Sequence, residues 1–229
     1  MPAPFLIESG SDDYSFPDVN LALREPDGLL AIGGDLSQER ILSAYRSGIF
    51  PWYSEGQPLL WWSPDPRPVL FPEKLKISRS LRKTINRNPF KITLNEAFES
   101  VINACSSVRR EGQDGTWITD SMIHSYSNLH QSGYAHSVEA WQDNKLVGGL
   151  YGIAIGEVFF GESMFSLVTD ASKVAFVYFI EHLTQKGFRL IDCQVYTSHL
   201  ESLGAEQIPR KRFIRLLDDL CTKAAHDPF

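Results

Sequence analysis

Apolar positions recur along the chain in two rhythms, and the change from one to the other marks its organisation. Ile41, Leu42 and Tyr45 fall on one face of a predicted helix over Gln38–Arg46. Asp35 or Ser37 can cap its start, because a short side-chain oxygen accepts from an unpaired helical N–H, and Gly48 stands just beyond its end. Around this helix, residues 1–66 are crowded with Pro, Gly and aromatic residues: REPDGLL at 24–30, IGGDLS at 32–37, GIFPWY at 48–53 and WWSPDPR at 61–67. X-Pro steps force extended chain, so WWSPDPR reads as the exit from a small N-terminal α/β domain, 1–66, into a second domain, 67–229.

From Pro68 the pattern lengthens. It predicts a strand at 69–71, a helix at 78–86, and a strand over Lys91–Leu94 whose end, Asn95, caps a helix through Cys105. Thr119 or Asp120 caps a helix to about Gln131, with Gly133 as its stop. Strands follow at 136–142, 146–155 and 157–161, the first two joined by a turn at Asp143 and Asn144. A helix at 171–186 ends before Gly187, and a strand at 189–194 precedes a short helical piece at 197–203. The tail, 209–223, has Pro in its first turn and Phe213, Leu216, Leu217 and Leu220 on one face. This order gives an α+β domain with a mixed, mainly antiparallel sheet.

Composition adds bounds. A chain of 229 residues buries enough apolar surface to fold without staples, and Cys105, Cys193 and Cys221, an odd and widely spaced set, exclude a disulfide framework and a zinc ribbon. The longest apolar run, 174–180, is too short to span a bilayer, and the first residues include acids and prolines, so a cytoplasmic protein is expected.

The net charge of −6 argues at first against nucleic acid. It hides a polarity. Residues 74–91 hold seven basic and no acidic residues, leaving 15 basic against 28 acidic elsewhere. Arg79, Arg82, Lys83 and Arg87, spaced 0, 3, 4 and 8, share one helix face, with neighbouring Cβ atoms about 5–6 Å apart. Such a face is either merely solvated or built for phosphates, and the absence of any acid among these cations favours phosphates. A second cluster, Arg210, Lys211, Arg212 and Arg215, has Asp218 and Asp219 nearby, which favours pairing within the chain.

Trp52, Trp61, Trp62 and Trp117 sit in Pro- or Gly-containing loops. They are candidates for base stacking or, equally, for the core of a small domain, and adjacent Trp61 and Trp62 point opposite ways in extended chain. Polar residues bracketed by apolar strand form the third signal. Glu162 lies beside Met164 and Phe165, and Asp192 and Gln194, two apart, are expected on one side of a strand with Cys193 opposite. Burying such groups is costly unless they find partners. Glu162 can pair with Lys173 or Arg189, and Asp192 with Gln194, or all three can serve chemistry. His136 and His199 are too isolated for a triad or a metal site, and no phosphate loop, nucleophile elbow or Rossmann spacing is present.

Read together, GLLAIGGDLS, GIFPWY, WWSPDPR, GTWIT, AHSVEAW, LVGGLYG, GESMFS, DASK and IDCQ followed by SLGA resemble the bacterial leucyl/phenylalanyl-tRNA-protein transferase family, in order, over about residues 21–212. The resemblance implies a GNAT-like, acetyltransferase-type domain used on an aminoacyl ester. It implies no coenzyme A, the signature [QR]xxGx[GA] being absent, and no other cofactor or metal. It implies transfer of Leu or Phe, less readily Met, from tRNA to proteins beginning with Arg or Lys, creating an N-terminal degradation signal, by a monomer. The ester is already activated, so no ATP site is required.

The same resemblance implies an apolar aminoacyl pocket involving Leu150, Phe159, Met164, Phe179 and Ile191, with Ser166 and Glu162 nearby. Leu150 stands where some relatives have Met. Trp52 and Trp117 correspond to positions around the terminal adenosine, and Asp192 and Gln194 to a catalytic relay. A carboxamide is a very weak base, so Gln194 is expected to orient the attacking amine while Asp192 fixes the amide. Glu162 receives either the aminoacyl amine or the cationic acceptor end. A non-catalytic tRNA-binding module and an acetyl-CoA-dependent N-acetyltransferase are the alternatives.

Overall fold

Turn chemistry and alternation sort the chain into two sheets in the computed structural model, which describes residues 3–108 and 117–223. The punctuation-rich first segment holds β1 (Phe5–Ile7), β2 (Leu29–Gly33), α1 (Gln38–Arg46), β3 (Phe50–Pro51) and β4 (Leu60–Trp62). Its four strands pair in the order β1-β2-β4-β3, with only β1 and β2 parallel. Of these elements only α1 is legible in the sequence, because strands of two to five residues repeat their alternation too few times to stand out. Ser37 occupies the N-cap of α1 without a side-chain bond. Asp35 instead accepts from the Ser37 N–H at 3.0 Å and pairs with Arg40 at 3.3 Å.

The rest of the chain runs β5 (Arg67–Leu70), α2 (Arg79–Arg87), β6 (Lys91–Leu94), α3 (Phe98–Ser107), α4 (Asp120–Gln131), β7 (Ala135–Gln142), β8 (Lys145–Ile155), β9 (Val158–Ser166), α5 (Ala171–Gln185), β10 (Leu190–Asp192), α6 (Ser198–Ser202), β11 (Glu206–Ile208) and α7 (Arg210–Leu220). A seven-stranded sheet orders β11-β5-β10-β9-β8-β7-β6. Every neighbouring pair is antiparallel except β9 and β10, which are joined through α5 as a parallel pair requires. The fold is therefore α+β with a mixed, mainly antiparallel sheet.

Strand alternation divides the core between the two faces of this sheet. Tyr151, Ile153, Phe160 and Leu190 pack with α1, α3, α4, α7 and the first sheet, while Leu150, Ala154, Phe159 and Ile191 pack under α2 and α5. Gly48 sits where the first segment meets α7. Its φ is +74°, and a Cβ there would stand 2.5 Å from Ile214 Cδ1, so only glycine fits without displacement.

Two local expectations are corrected. Asn95 does not cap α3, whose N-cap is Ala97. Asn95 adopts φ +58°, accepts from the Ser137 N–H at 3.0 Å and donates to His136 Nδ1 at 3.1 Å. The strand expected at 189–194 stops at Asp192, and Gln194 turns into the left-handed region at φ +56°, so strand alternation does not relate the two residues. Among the described residues no helix is long and apolar enough to cross a membrane.

Candidate active site

Strands β9 and β10 stay paired only as far as Phe160 and Asp192, while β9 runs on to Ser166. A cavity of about 480 Å³ opens beside this divergence. Leu150, Phe159, Met164, Phe176 and Ile191 supply apolar lining and Glu162, Asp192 and Gln194 polar lining, and Trp52, Trp117, Val195 and Tyr196 also line it. Two expected pocket residues lie elsewhere. Phe179 is fully buried behind the wall, its ring edge-on to Phe159 at 4.7 Å, and Phe176, one turn earlier on α5, takes the lining position. Ser166 is exposed at the far end of β9, where its hydroxyl donates to the Val168 carbonyl at 2.8 Å and accepts from the Ser172 N–H at 3.2 Å.

Glu162 lies beside a register shift between β8 and β9, where one extra residue re-aims the chain. Its carboxylate accepts from the Tyr45 hydroxyl at 2.6 Å and the Gln194 amide at 2.5 Å on Oε1, and from the Tyr126 hydroxyl at 3.1 Å on Oε2. The two tyrosine oxygens are 2.6 Å apart. Burial pushes the Glu162 carboxyl up to about 7, against the opposing pull of the three donors, and the nearby Asp192 charge adds to the rise. The expected ion pairs of Glu162 do not form: Lys173 stands 3.8 Å from Asp170, and Arg189 stands 3.8 Å from Glu157 and from Asp219. Tyr45 and Tyr126 escape sequence reasoning because a tyrosine on the apolar face of a helix looks like a core residue, and only the fold brings both hydroxyls to one carboxylate.

Asp192 is wholly buried and gripped by Arg67, whose Nε donates to Oδ1 at 2.8 Å and Nη2 to Oδ2 at 2.7 Å. The Gln194 backbone N–H also donates to Oδ1, at 3.0 Å. The expected side-chain pair of Asp192 and Gln194 is thus replaced by a side-chain to backbone bond, and the Gln194 amide goes to Glu162. Arg67 Nη1 donates to the Gly48 carbonyl at 3.2 Å, and the guanidinium carbon lies 4.7 Å from the ring centres of both Phe50 and Phe213. The one sequence signal for Arg67 is its isolation, since no other Lys or Arg occurs between Arg46 and Lys74. Burial pushes the Cys193 thiol upward, so it stays protonated. His199 lines the cavity and burial lowers it, with Lys173 adding to that; no carboxylate is paired with it among the described residues.

The tryptophans separate by role. Trp61 is fully buried, with Nε1 donating to the Gly33 carbonyl at 2.9 Å. Trp62 donates to the Trp52 carbonyl at 2.7 Å and packs 5.8 Å from its ring, which holds Trp52 at the cavity. Trp117 reaches the cavity too, while Gly115 and Thr116 of GTWIT lie outside the described residues.

Arg79, Arg82, Lys83 and Arg87 are all exposed on α2, and none has an acidic partner within 4.0 Å among the described residues. The pairing expected inside α7 is corrected. Asp219 binds Arg189 and Lys223, whereas the Arg210 guanidinium donates to the Ser63 carbonyl and its backbone N–H to Asp65, and Arg212 lies 5.6 Å over the Phe71 ring. No group of three His, Cys, Asp or Glu among the described residues is placed to hold a metal ion.

The family described as leucyl/phenylalanyl-tRNA protein transferase matches residues 69–218, and its N-terminal domain matches residues 34–65. A leucyl/phenylalanyl-tRNA–protein transferase of Stutzerimonas stutzeri is 61% identical over 90% of this chain and 91% of its own. One from Syntrophobacter fumaroxidans is 57% identical over 94% of this chain and 92% of its own. Among solved structures, a GCN5-related N-acetyltransferase from Kribbella flavida aligns over 72% of this chain and 59% of its own, at 13% identity and a TM-score of 0.37.

Proposed function

From the premise that the chain belongs to the leucyl/phenylalanyl-tRNA protein transferase family, and is thus an aminoacyltransferase, we propose that it moves Leu or Phe, and less readily Met, from charged tRNA to the N-terminal α-amino group of proteins beginning with Arg or Lys. The product carries an N-terminal degradation signal, and the enzyme works as a cytoplasmic monomer. The observation that carries this reading is a cavity whose lining combines apolar side chains, suited to a hydrophobic aminoacyl group, with a buried carboxylate and carboxamide 2.5 Å apart.

Leu150, Phe159, Met164, Phe176 and Ile191 receive the aminoacyl side chain, with Phe179 backing Phe159. A pocket of this kind discriminates a single methylene by only about 1–3 kcal/mol, which suits an enzyme that accepts several apolar residues. Trp52 and Trp117 stack on the terminal adenosine, and the cations of α2 meet phosphates of the tRNA.

In the chemical step the acceptor nitrogen attacks the ester carbonyl carbon, the C–N bond forms, the C–O bond to the ribose breaks, and the ribose oxygen takes up a proton as the amine gives one up. The ester supplies the driving force. Gln194 commits its amide N–H to Glu162, which leaves its carbonyl oxygen to accept from the incoming amine and orient it. Glu162, half-ionised near pH 7, is the group suited to receive an ammonium or a proton there. Asp192 has its oxygens occupied by Arg67 and the Gln194 N–H, so it acts by positioning.

The test mixes labelled Leu-tRNA or Phe-tRNA with a protein beginning in Arg or Lys and searches the N-terminal peptide for label. Label in that peptide is the expected result. Folded enzyme that transfers none would overturn the reading.

A further inference from the structure

We propose that Arg67 is a positioning residue for aminoacyl transfer, acting through Asp192 on Gln194; the inference rests on the reading of Gln194 just given. Arg67 holds both oxygens of Asp192 through two nearly parallel bonds of 2.8 and 2.7 Å. One of those oxygens also accepts from the Gln194 N–H, where the backbone has left the strand for φ +56°. That conformation is disfavoured for a residue with a Cβ and persists where surrounding bonds hold it. It is this turn, and not strand alternation, that delivers the Gln194 amide to Glu162.

Arg67 is itself held from several directions. The rings of Phe50 on β3 and Phe213 on α7 lie 4.7 Å from its guanidinium carbon, and the Gly48 carbonyl accepts its remaining Nη1. Its orientation is therefore set jointly by the first sheet, the last helix and β5. A planar fork is required for this seat: lysine would keep the charge but offer neither two parallel bonds nor a plane to lie between two rings.

The experiment compares Arg67→Lys with wild type in the transfer assay, with thermal unfolding run in parallel. Because a misplacement of about 1 Å near the chemistry can cost about 100-fold, kcat is expected to fall by about that factor while KM for aminoacyl-tRNA stays within about threefold. A kcat within threefold of wild type would overturn the proposal and leave the transferase reading intact. Should Arg67→Lys not fold, the neutral pair Arg67→Met with Asp192→Asn removes the buried charges together; folded protein with kcat still about 100-fold down supports the proposal, and recovered kcat overturns it.

A readout independent of activity separates this inference from the reading beneath it. The side-chain amide NMR signal of Gln194, assigned by its loss in Gln194→Ala, is expected to move in the folded Arg67 variant. An unmoved signal overturns the inference even if the wild type transfers normally, whereas a wild type that fails to transfer overturns the reading beneath it whatever the signal does.

Discussion

Arg79, Arg82, Lys83 and Arg87 are exposed with no acid within 4.0 Å among the described residues, whereas Arg67 lies between two aromatic rings with Asp192 held by two of its nitrogens. The same chemistry in the two places obeys different rules. On α2 the interaction with a polyanion is long-ranged, nearly additive and weakened by salt, and each side chain can re-aim at little cost. Asp192 is wholly buried, so screening by salt is weak there and a change of partner or angle leaves a buried charge without compensation. Under the proposed function, capture of tRNA falls to the exposed face and control of the reacting groups to the buried cluster.

The strongest way to break that division is Asp192→Ala. It strands the Arg67 guanidinium, and urea unfolding is expected to show a loss of about 3–5 kcal/mol, while turnover of the fraction that folds falls much further than its tRNA affinity. Parallel losses in turnover and affinity would merge the two regions into one binding surface.

Next in size is the pH response of Glu162. Its folded value of about 7 lies above the usual carboxylate range, so the folded state holds the proton more tightly than the unfolded chain. The stabilisation from the protonated form is complete below about pH 4.5 and is lost as pH rises through 7, on the order of 3 kcal/mol in total. Transfer activity should run the opposite way, rising through the same window as the carboxylate forms. Glu162→Gln should flatten the stability slope between pH 4.5 and 8; a slope unchanged in that variant would assign the titration to another group.

The smallest expected effect is on the surface. Reversing Arg82 and Lys83 to Glu should weaken tRNA binding by about 10–100-fold at low salt and reduce the slope of log affinity against log salt by about 2, with turnover at saturating tRNA unchanged. An unaltered slope would remove α2 from the tRNA contact.

How much of this could be read in advance depends on the range of the interaction. The amphipathic face of α1, the basic face of α2 and the strand β6 depend on neighbours three or four residues away, or on simple alternation, and their boundaries in the structure fall within a residue of the expectation. Glu162, Asp192 and Gln194 were visible as polar residues out of place in apolar surroundings. Their partners were not. Alternation relates Asp192 to Gln194 only while the strand continues, and β10 ends between them. Ser166 lies outside the cavity lining and Phe179 behind it, because a motif gives proximity along the chain without saying which way a side chain points.

What the sequence determined by itself was the family, the order of most elements beyond Pro68 and the acid-free cationic face of α2, since these are written in local periodicity and in strings of residues. The tertiary structure alone decided which groups the buried carboxylates bind. Glu162 takes hydroxyls from residues 117 and 36 positions away, and Asp192 takes a guanidinium from 125 positions away. A buried charge must be matched by whatever the fold brings within 3 Å of it, and proximity in space across that many residues is set by packing two sheets and their helices together, which no local pattern records.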